Sequence, residues 1–234
     1  DDVWRPEFLA SQIEFLTANK LEMVYADAIF FGAAHRREAE TFMRKSPSEG
    51  AVDFASLIGF RCNVITSGTI VVRQKILDAG MFDAALPRGY AEDFDLWTRL
   101  ARAGTKIGYQ KKVLLKYRVS PTSLSGSSVE RARRNVLTLM RVREKNELTA
   151  DEERIFNETL AAAEAELLLE TGKAHLLREE FAAAREKFRE ANRYYRKPKF
   201  KLIDLMLTVS PQTLVKIFKR QRARELPFIP TSDF

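Results

Sequence analysis

The sequence has a single cysteine and two histidines in 234 residues. Cys62, standing alone, excludes an internal disulfide and a cysteine-rich metal site, and we expect it to be a buried thiol. With only His35 and His175 available, neither a zinc site nor a histidine-based triad is expected. The glycine-rich patterns G-x-x-x-x-G-K-[ST] and G-x-G-x-x-G are also absent. Phosphate-loop and dinucleotide-loop enzymes are therefore not indicated.

Long apolar runs are missing too. No stretch approaches the ~20 apolar residues of a membrane-spanning helix. Hydrophobic residues make up 45% of the chain and charged residues 30%, which is typical of a globular domain. We therefore expect a globular protein that does not span a membrane. Its expected location, in the cytoplasm with peripheral attachment to the inner face of the plasma membrane, follows instead from the basic tail and from the family resemblance described below.

Positive charge is concentrated near the C-terminus. The net charge is +7, and from residue 196 to residue 224 nine lysines and arginines stand against Asp204 alone. Nucleic acid and anionic membrane surfaces are the usual partners of such a tail, and a merely solvated basic end is equally common. Nucleic acid is disfavoured because interleaved aromatic residues are lacking. Apolar residues between the cations, interrupted at Ser210-Pro211, instead predict two short amphipathic helices suited to an anionic membrane.

Strand and helix patterns alternate through residues 1–119, which predicts an α/β layer architecture. A helix follows Pro6, and Phe8, Leu9, Ile13 and Leu16 form its predicted apolar side. The β-prone run 23–30 predicts a buried strand, Asp53 precedes a short helix, and residues 106–109 and 113–119 each resemble a strand.

The character of the chain changes after a Ser/Thr/Pro/Gly-rich segment at residues 120–128. Long Ala/Glu/Leu/Arg-rich stretches predict helix up to Tyr195. Within them the spacing resembles one tetratricopeptide repeat, in which small residues let two antiparallel helices approach closely. The residues with that spacing are Leu168, Gly172, Phe181, Ala184, Phe188 and Ala191. We therefore predict three regions: an α/β domain at 1–128, a helical, tetratricopeptide-like region at 129–195, and a basic amphipathic tail at 196–234.

The stretch from Gly89 to Leu100 carries three carboxylates at the start of a predicted helix, in the order Glu92-Asp93-Phe94-Asp95. Acidic residues at a helix start commonly cap free N–H groups and complement the helix dipole. Simple capping is therefore one interpretation of these residues. A second interpretation, a catalytic one, comes from the motifs upstream and downstream of this helix.

Four motifs, taken in order, resemble the inverting family-2 glycosyltransferases of the GT-A fold. Asp1–Leu9 is similar to the end of that family's D-x-D-D-x-W-x-P-E-x-L stretch, without its leading Asp. Ser67–Thr69 with the strand after it resembles the small-residue loop on the acceptor side. Glu92–Leu100 matches the E-D-x-D-L-W-x-R-L helix, and Tyr117–Ser125 resembles Y-R-x-H-x-x-S-x-S.

The resemblance implies the second half of a GT-A, or nucleotide-diphospho-sugar transferase, fold, followed by an all-helical region. It implies transfer of a sugar from a nucleotide-sugar donor to a glycan or lipid-linked acceptor of the bacterial cell envelope. Asp93 would be the general base, with Glu92 orienting it or the acceptor. Asp1 and Asp2 would hold Mg²⁺ or Mn²⁺ at the donor's diphosphate, because such cations prefer carboxylate oxygens.

The remaining roles implied by the resemblance concern Arg118, the Ser67-Gly68-Thr69 loop and Trp97. Arg118 would approach the diphosphate, or would lie in solvent at a strand end. Ser67, Gly68 and Thr69 would line the acceptor side. Trp97 would offer a face to a sugar, although core packing is the favoured interpretation for a tryptophan beside Leu96.

The sequence departs from the family pattern in two ways. Ser120 stands where a histidine is common, which weakens any ligand role for the loop that follows Tyr117. The nucleotide-binding first half of the fold has no counterpart in the 234 residues, so we expect this chain alone to be inactive. The alternative function is a non-catalytic helical interaction module on a degenerate transferase scaffold.

Overall fold

The computed structural model describes residues 1–32, 40–86, 91–119 and 128–225, with backbone only for 221–225. The protein is mixed α/β with a helical C-terminal region, which confirms the coarse fold class expected from the sequence. The strands are β1 (Val3–Trp4), β2 (Met23–Phe31), β3 (Thr69–Val71) and β4 (Ile107–Arg118). The helices are α1 (Phe8–Ala18), α2 (Phe42–Lys45), α3 (Phe54–Ile58), α4 (Arg73–Asp78), α5 (Glu92–Arg102), α6 (Ser128–Lys145), α7 (Ala150–Leu177), α8 (Phe181–Tyr195), α9 (Lys199–Val209) and α10 (Pro211–Glu225).

The four strands form one mixed sheet in the order β1-β4-β2-β3. The central strands β2 and β4 run parallel, while β1 and β3 pair antiparallel at the two edges. The predicted strand at 23–30 is confirmed as β2, whose first six residues are buried. The two predicted strands near 106–119 form a single strand, β4, with an irregular register opposite Ala26 and Asp27.

Helix α1 has the predicted position but a different buried face. Phe8 and Gln12 are buried, whereas Leu9 and Ile13 are 49% and 55% exposed. The apolar side predicted from the sequence was therefore wrong at two of its positions. The reason is tertiary: the Gln12 amide donates a hydrogen bond of 2.7 Å to the carbonyl of Gly68, which turns that side of the helix inward.

The core lies between the sheet and the helices that pack on it. It includes Met23 and Tyr25 of β2, Leu115 of β4, and Leu96 and Leu100 of α5, all nearly inaccessible to solvent. Cys62 is buried at 2% exposure, as expected. The short helix α3 is capped by Asp53, the residue before it, whose carboxylate accepts a hydrogen bond from the backbone N–H of Ser56. That cap confirms the predicted helix start.

The chain divides into two compact units. One comprises Asp1–Ser120 with Thr138–Thr159, and the other comprises Pro121–Leu137 with Leu160–Phe234. The points of division lie within α6 and α7, so each of these helices contributes residues to both units. The three sequence-based regions, with boundaries at 128 and 195, remain predictions.

The second unit contains the helix pair predicted from the small-residue spacing. A Cβ added at Gly172 of α7 would lie 2.9 Å from a ring carbon of Phe188 in α8, so glycine permits the close approach. Ala184, Phe188 and Ala191 of α8 are buried. The described part of the basic tail, up to residue 225, forms α9 and α10, which are divided at Ser210 and Pro211 as predicted. No helix in the described part of the chain is long and apolar enough to cross a membrane.

Candidate active site

Asp2 is anchored where β1 meets the end of β4. Val3 pairs with Lys116, which brings Asp2 beside the last residues of β4. One carboxylate oxygen of Asp2 accepts a hydrogen bond of 2.8 Å from the backbone N–H of Arg118. The other accepts a hydrogen bond of 2.5 Å from the hydroxyl of Ser67. Both oxygens are therefore held in fixed directions.

Arg118 joins Asp1 and Asp2 at this edge of the sheet. Its Nε donates a hydrogen bond of 3.0 Å to the carbonyl oxygen of Asp1. Its guanidinium carbon lies 4.5 Å from the centre of the Phe31 ring, in cation–π contact. The side chain is exposed, so its positive charge is accessible to an anion from solvent.

A single helical turn at residues 66–68 contacts both Asp2 and Asp93. Thr66 and Ser67 are neighbours in this turn, and each hydroxyl donates to a different carboxylate. Ser67 donates to Asp2, and Thr66 donates to Asp93 at 2.5 Å. The turn thus brings together two carboxylates that lie 91 positions apart in the numbering.

Three hydrogen bonds, of which only that from Gln12 is fully buried, hold the small-residue loop in place. Gln12 donates to the carbonyl of Gly68 at 2.7 Å, and the Trp4 indole N–H donates to the carbonyl of Ser67 at 2.7 Å. The Thr69 hydroxyl donates to the carbonyl of Ile65 at 2.7 Å. A Cβ at Gly68 would lie 3.1 Å from a methyl of Leu115. The close approach of the loop to the sheet therefore favours glycine at this position.

Asp93 lies in the first turn of α5, and its two oxygens have different partners. Oδ2 accepts from Thr66, and Oδ1 accepts a hydrogen bond of 2.8 Å from the backbone N–H of Phe94. The residue before the helix, Ala91, provides no side-chain cap. Asp93 thus satisfies one free N–H of the first turn, in agreement with the capping interpretation, while its second oxygen faces the Thr66–Ser67 turn.

The charges of both carboxylates act on the phenol of Tyr117. The phenol is half-buried and packs edge-on against Phe30, with ring centres 5.8 Å apart. Burial raises the pKa of Tyr117, and the negative charges of Asp2 and Asp93 raise it further. Because a phenolate would be repelled by both carboxylates, the neutral phenol is favoured.

Two of the predicted site residues take no part in these hydrogen bonds. Glu92 is exposed at the first position of α5. Trp97 is 4% exposed and packs edge-on against Phe82, with ring centres 6.4 Å apart. The indole of Trp97 belongs to the core cluster, as the favoured interpretation of its sequence context expected.

Asp95 has a structural role that the sequence analysis did not assign. It is 4% exposed, and one oxygen accepts from Lys145 of α6 at 3.0 Å, while the other accepts from Arg99 at 2.9 Å. Lys145 also donates to Asp83 at 2.8 Å. Burial opposes the charge of Lys145, but the hydrogen bonds to Asp83 and Asp95 raise its pKa overall.

The Asp95 network fixes the helix that carries Asp93. Arg99 donates to the carbonyls of Ala79 and Met81, which follow α4. The carboxylate therefore ties α5 both to the preceding loop and to the C-terminal end of α6. Its spacing of four residues from Arg99 was the sequence signal for an intrahelical ion pair. The link to Lys145 required the tertiary structure.

Few side chains at this site could coordinate a metal ion. Among the residues that the structure describes, no group of three or more His, Cys, Asp or Glu side chains is arranged to hold a metal ion. Asp1 and Asp2 provide a pair of neighbouring carboxylates, and Asp2 is oriented by Ser67 and Arg118. Mg²⁺ is commonly held by one or two carboxylates together with substrate phosphates. The oriented carboxylate of Asp2 fits that shared mode of binding, and Asp1 is its neighbour in the sequence.

Comparison of the sequence with protein-family models gives no match, and comparison with curated proteins gives no significant match. The resemblance to glycosyltransferases therefore depends on the four motifs of this chain. Residues from three of the motifs meet at the Thr66–Ser67 turn: Asp2, Ser67 and Asp93. Tyr117, from the fourth, has its pKa raised by burial and, to a smaller extent, by the charges of Asp2 and Asp93.

Proposed function

We propose that this protein is an inverting glycosyltransferase of the GT-A type, which moves a sugar from a nucleotide-diphosphate donor to an acceptor hydroxyl. One observation carries the proposal: Thr66 and Ser67 donate to the carboxylates of Asp93 and Asp2, respectively, at 2.5 Å each. The proposed base for the acceptor, Asp93, and a carboxylate on the proposed diphosphate side, Asp2, are thereby held by neighbouring residues. Transfer with inversion needs one base on the acceptor side, and a cation held beside the diphosphate would assist its departure.

Asp93 is the proposed general base. In the reaction, the acceptor oxygen attacks the anomeric carbon from the side opposite the leaving group. The acceptor proton passes to Oδ2 of Asp93, and the bond from the anomeric carbon to the diphosphate breaks, with its electron pair leaving on the nucleoside diphosphate. A positioned base of this kind typically contributes ~10²–10⁴-fold to the rate. The Thr66 hydroxyl, which donates to the same oxygen, aims that oxygen at the acceptor.

Asp1, Asp2 and Arg118 are the proposed diphosphate side of the site. Asp1 and Asp2 would hold Mg²⁺ or Mn²⁺, and such an ion would neutralise charge on the departing diphosphate. The hydrogen bonds from Ser67 and the Arg118 backbone orient the carboxylate of Asp2, as partners behind a metal ligand commonly do. The exposed Arg118 guanidinium adds a charge-assisted contact for the same phosphates.

The proposed acceptor side is formed by the loop from Ser67 to Thr69. Gly68 and Thr69 direct their polar groups into the loop's own support, through Gln12 and Ile65. They therefore shape the wall of the site, while the Ser67 hydroxyl contacts the carboxylate of Asp2 directly. We propose a glycan or lipid-linked acceptor of the bacterial cell envelope, with the reaction in the cytoplasm.

A second candidate is a helical interaction module on a degenerate transferase scaffold. The observation that favours it is the close packing of α7 on α8 at Gly172 and Phe188, a pairing similar to one tetratricopeptide repeat. This function would leave Asp93 without a chemical role.

A donor-consumption assay on the protein as naturally encoded tests the proposal. Purified protein is incubated with Mg²⁺ or Mn²⁺ and a panel of nucleotide-diphosphate sugars, and nucleoside diphosphate release is measured with envelope glycan or lipid extracts as acceptors. We expect release that depends on both the cation and the acceptor, with inversion at the anomeric carbon of the product. Retention of configuration, or no release with any donor, would contradict the proposal.

A further inference from the structure

Helix α9 is apolar on two opposite sides. Phe200 and Leu207 point into the core shared with α8 and α10 and are 3% and 6% exposed. On the other side, Leu202, Leu205 and Val209 are 59%, 58% and 74% exposed. We refer to these three residues as the α9 ridge. A helix in water normally has polar residues opposite its buried face.

The ridge forms a continuous stripe along α9. Its members are spaced three and four residues apart, which places them one above the other on a single helical face. Single exposed leucines are common, but an aligned group of large aliphatic side chains marks a surface that another apolar phase covers. The spacing thus indicates an interaction surface about two turns long.

Cations accompany the ridge on the same helix pair. Lys199 and Lys201 are exposed on α9. On α10, Leu214 and Val215 face inward, whereas Lys216, Lys219 and Arg220 are exposed around the 40% exposed Ile217.

Negative charge is nearly absent from the described side chains of α9 and α10. Asp204 is their one acid, and both of its oxygens are bound by Arg185 and Arg189 of α8. Among the described side chains of the two helices, the exposed charges are therefore positive, and an acidic side chain of the preceding chain, Glu179, contacts Gln212 at the start of α10.

We propose that α9 and α10 dock on the surface of an anionic lipid membrane. The ridge enters the boundary between headgroups and acyl chains, and the lysines contact the anionic headgroups. This proposal is independent of the proposed sugar transfer. A second copy of the chain is disfavoured as the occupant, because matching the ridge to itself would bring like charges together.

Vesicle partitioning tests the proposal on the full chain. The partition coefficient is measured with vesicles of equal parts phosphatidylglycerol and phosphatidylcholine, and with phosphatidylcholine alone. The ridge variant carries Leu202→Ser, Leu205→Ser and Val209→Ser. Its control carries Leu9→Ser and Ile13→Ser, an exposed aliphatic pair on α1 next to Glu7 and Glu14. A third variant carries Lys201→Gln and Lys216→Gln.

We expect clear preference for the anionic vesicles, and a loss of at least ~10-fold in the ridge variant, since burial of even one leucine is worth that much. Each lysine removed should weaken binding about fivefold at low salt. The α1 control should bind as the unmodified protein does, and all variants should keep their helical circular dichroism. Equal binding to neutral vesicles, or full binding by the ridge variant, would overturn the proposal. So would a dimer in solution that the ridge variant converts to monomer.

Discussion

Asp2 and Ser67 are joined by a hydrogen bond of 2.5 Å across 65 positions of the chain. The neighbouring Thr66 makes the equivalent bond to Asp93. One turn of backbone thus sets the relative positions of two carboxylates from the first and third of the recognised motifs. The proposed chemistry depends on this bridge.

The phenol of Tyr117 provides a test of the bridge in solution. Asp2→Asn and Asp93→Asn should each lower the pKa of Tyr117, because each removes a negative charge that disfavours the phenolate. The pKa is measured from phenolate absorbance, as the difference between each protein and its Tyr117→Phe counterpart. Asp78→Asn is the control, since Asp78 lies on α4 and contacts Gln74 instead. An unchanged Tyr117 pKa in both site variants would show that the carboxylates do not face the phenol.

The buried amide of Gln12 supports the loop that carries Ser67. Gln12→Ala should lower the free energy of unfolding by ~2–4 kcal/mol, because it leaves a cavity and an unpaired Gly68 carbonyl. Gln74→Ala is the matched control: that amide is exposed on α4, and its loss should cost no more than ~0.5 kcal/mol. Urea unfolding measures both. An equal loss of unfolding free energy in the two variants would show that Gln12 does not support the loop.

The Asp95 carboxylate holds α5 against α6 and the loop after α4. Asp95→Ala should cost ~3–5 kcal/mol of unfolding free energy, because the positive charges of Lys145 and Arg99 lose their shared partner. The control is Glu158→Ala, which breaks an ion pair to Arg154 whose side chains are 67% and 61% exposed. Exposed pairs contribute at most ~1 kcal/mol. Thermal or urea unfolding of the two variants should therefore differ by several kcal/mol, and similar values would contradict the assignment.

Much of the fold could be predicted because its signals are local. The apolar run of β2, the cap at Asp53 and the break at Ser210-Pro211 each depend on neighbouring residues, and each is confirmed. The inward face of α1 could not be predicted in the same way. Leu9 and Ile13 are more apolar than Gln12, yet the glutamine is buried because its partner, the Gly68 carbonyl, lies in a distant loop.

In the candidate site, too, contacts between residues far apart in the sequence could not be predicted. The motifs indicated Asp2, Ser67 and Asp93, but only pairing of β1 with β4 and packing of the 66–68 turn brings them together. Thr66 was missed because a single threonine before a small-residue loop carries no signal of its own. Lys145 was missed because it lies in a helix 50 positions after Asp95. Trp97 was an ambiguous residue, and its place in the core depends on Phe82 and the rest of the core cluster.

The most direct test of the central claim is the turnover number of Asp93→Asn in the protein as naturally encoded, compared with that of Asp78→Asn. Both changes remove one negative charge from the α/β unit. The account predicts that Asp93→Asn lowers kcat by ~10²–10⁴-fold, without loss of the folded state, while Asp78→Asn retains full turnover. Equal turnover by the two variants would contradict a base at Asp93 and would leave the helical interaction module as the better explanation.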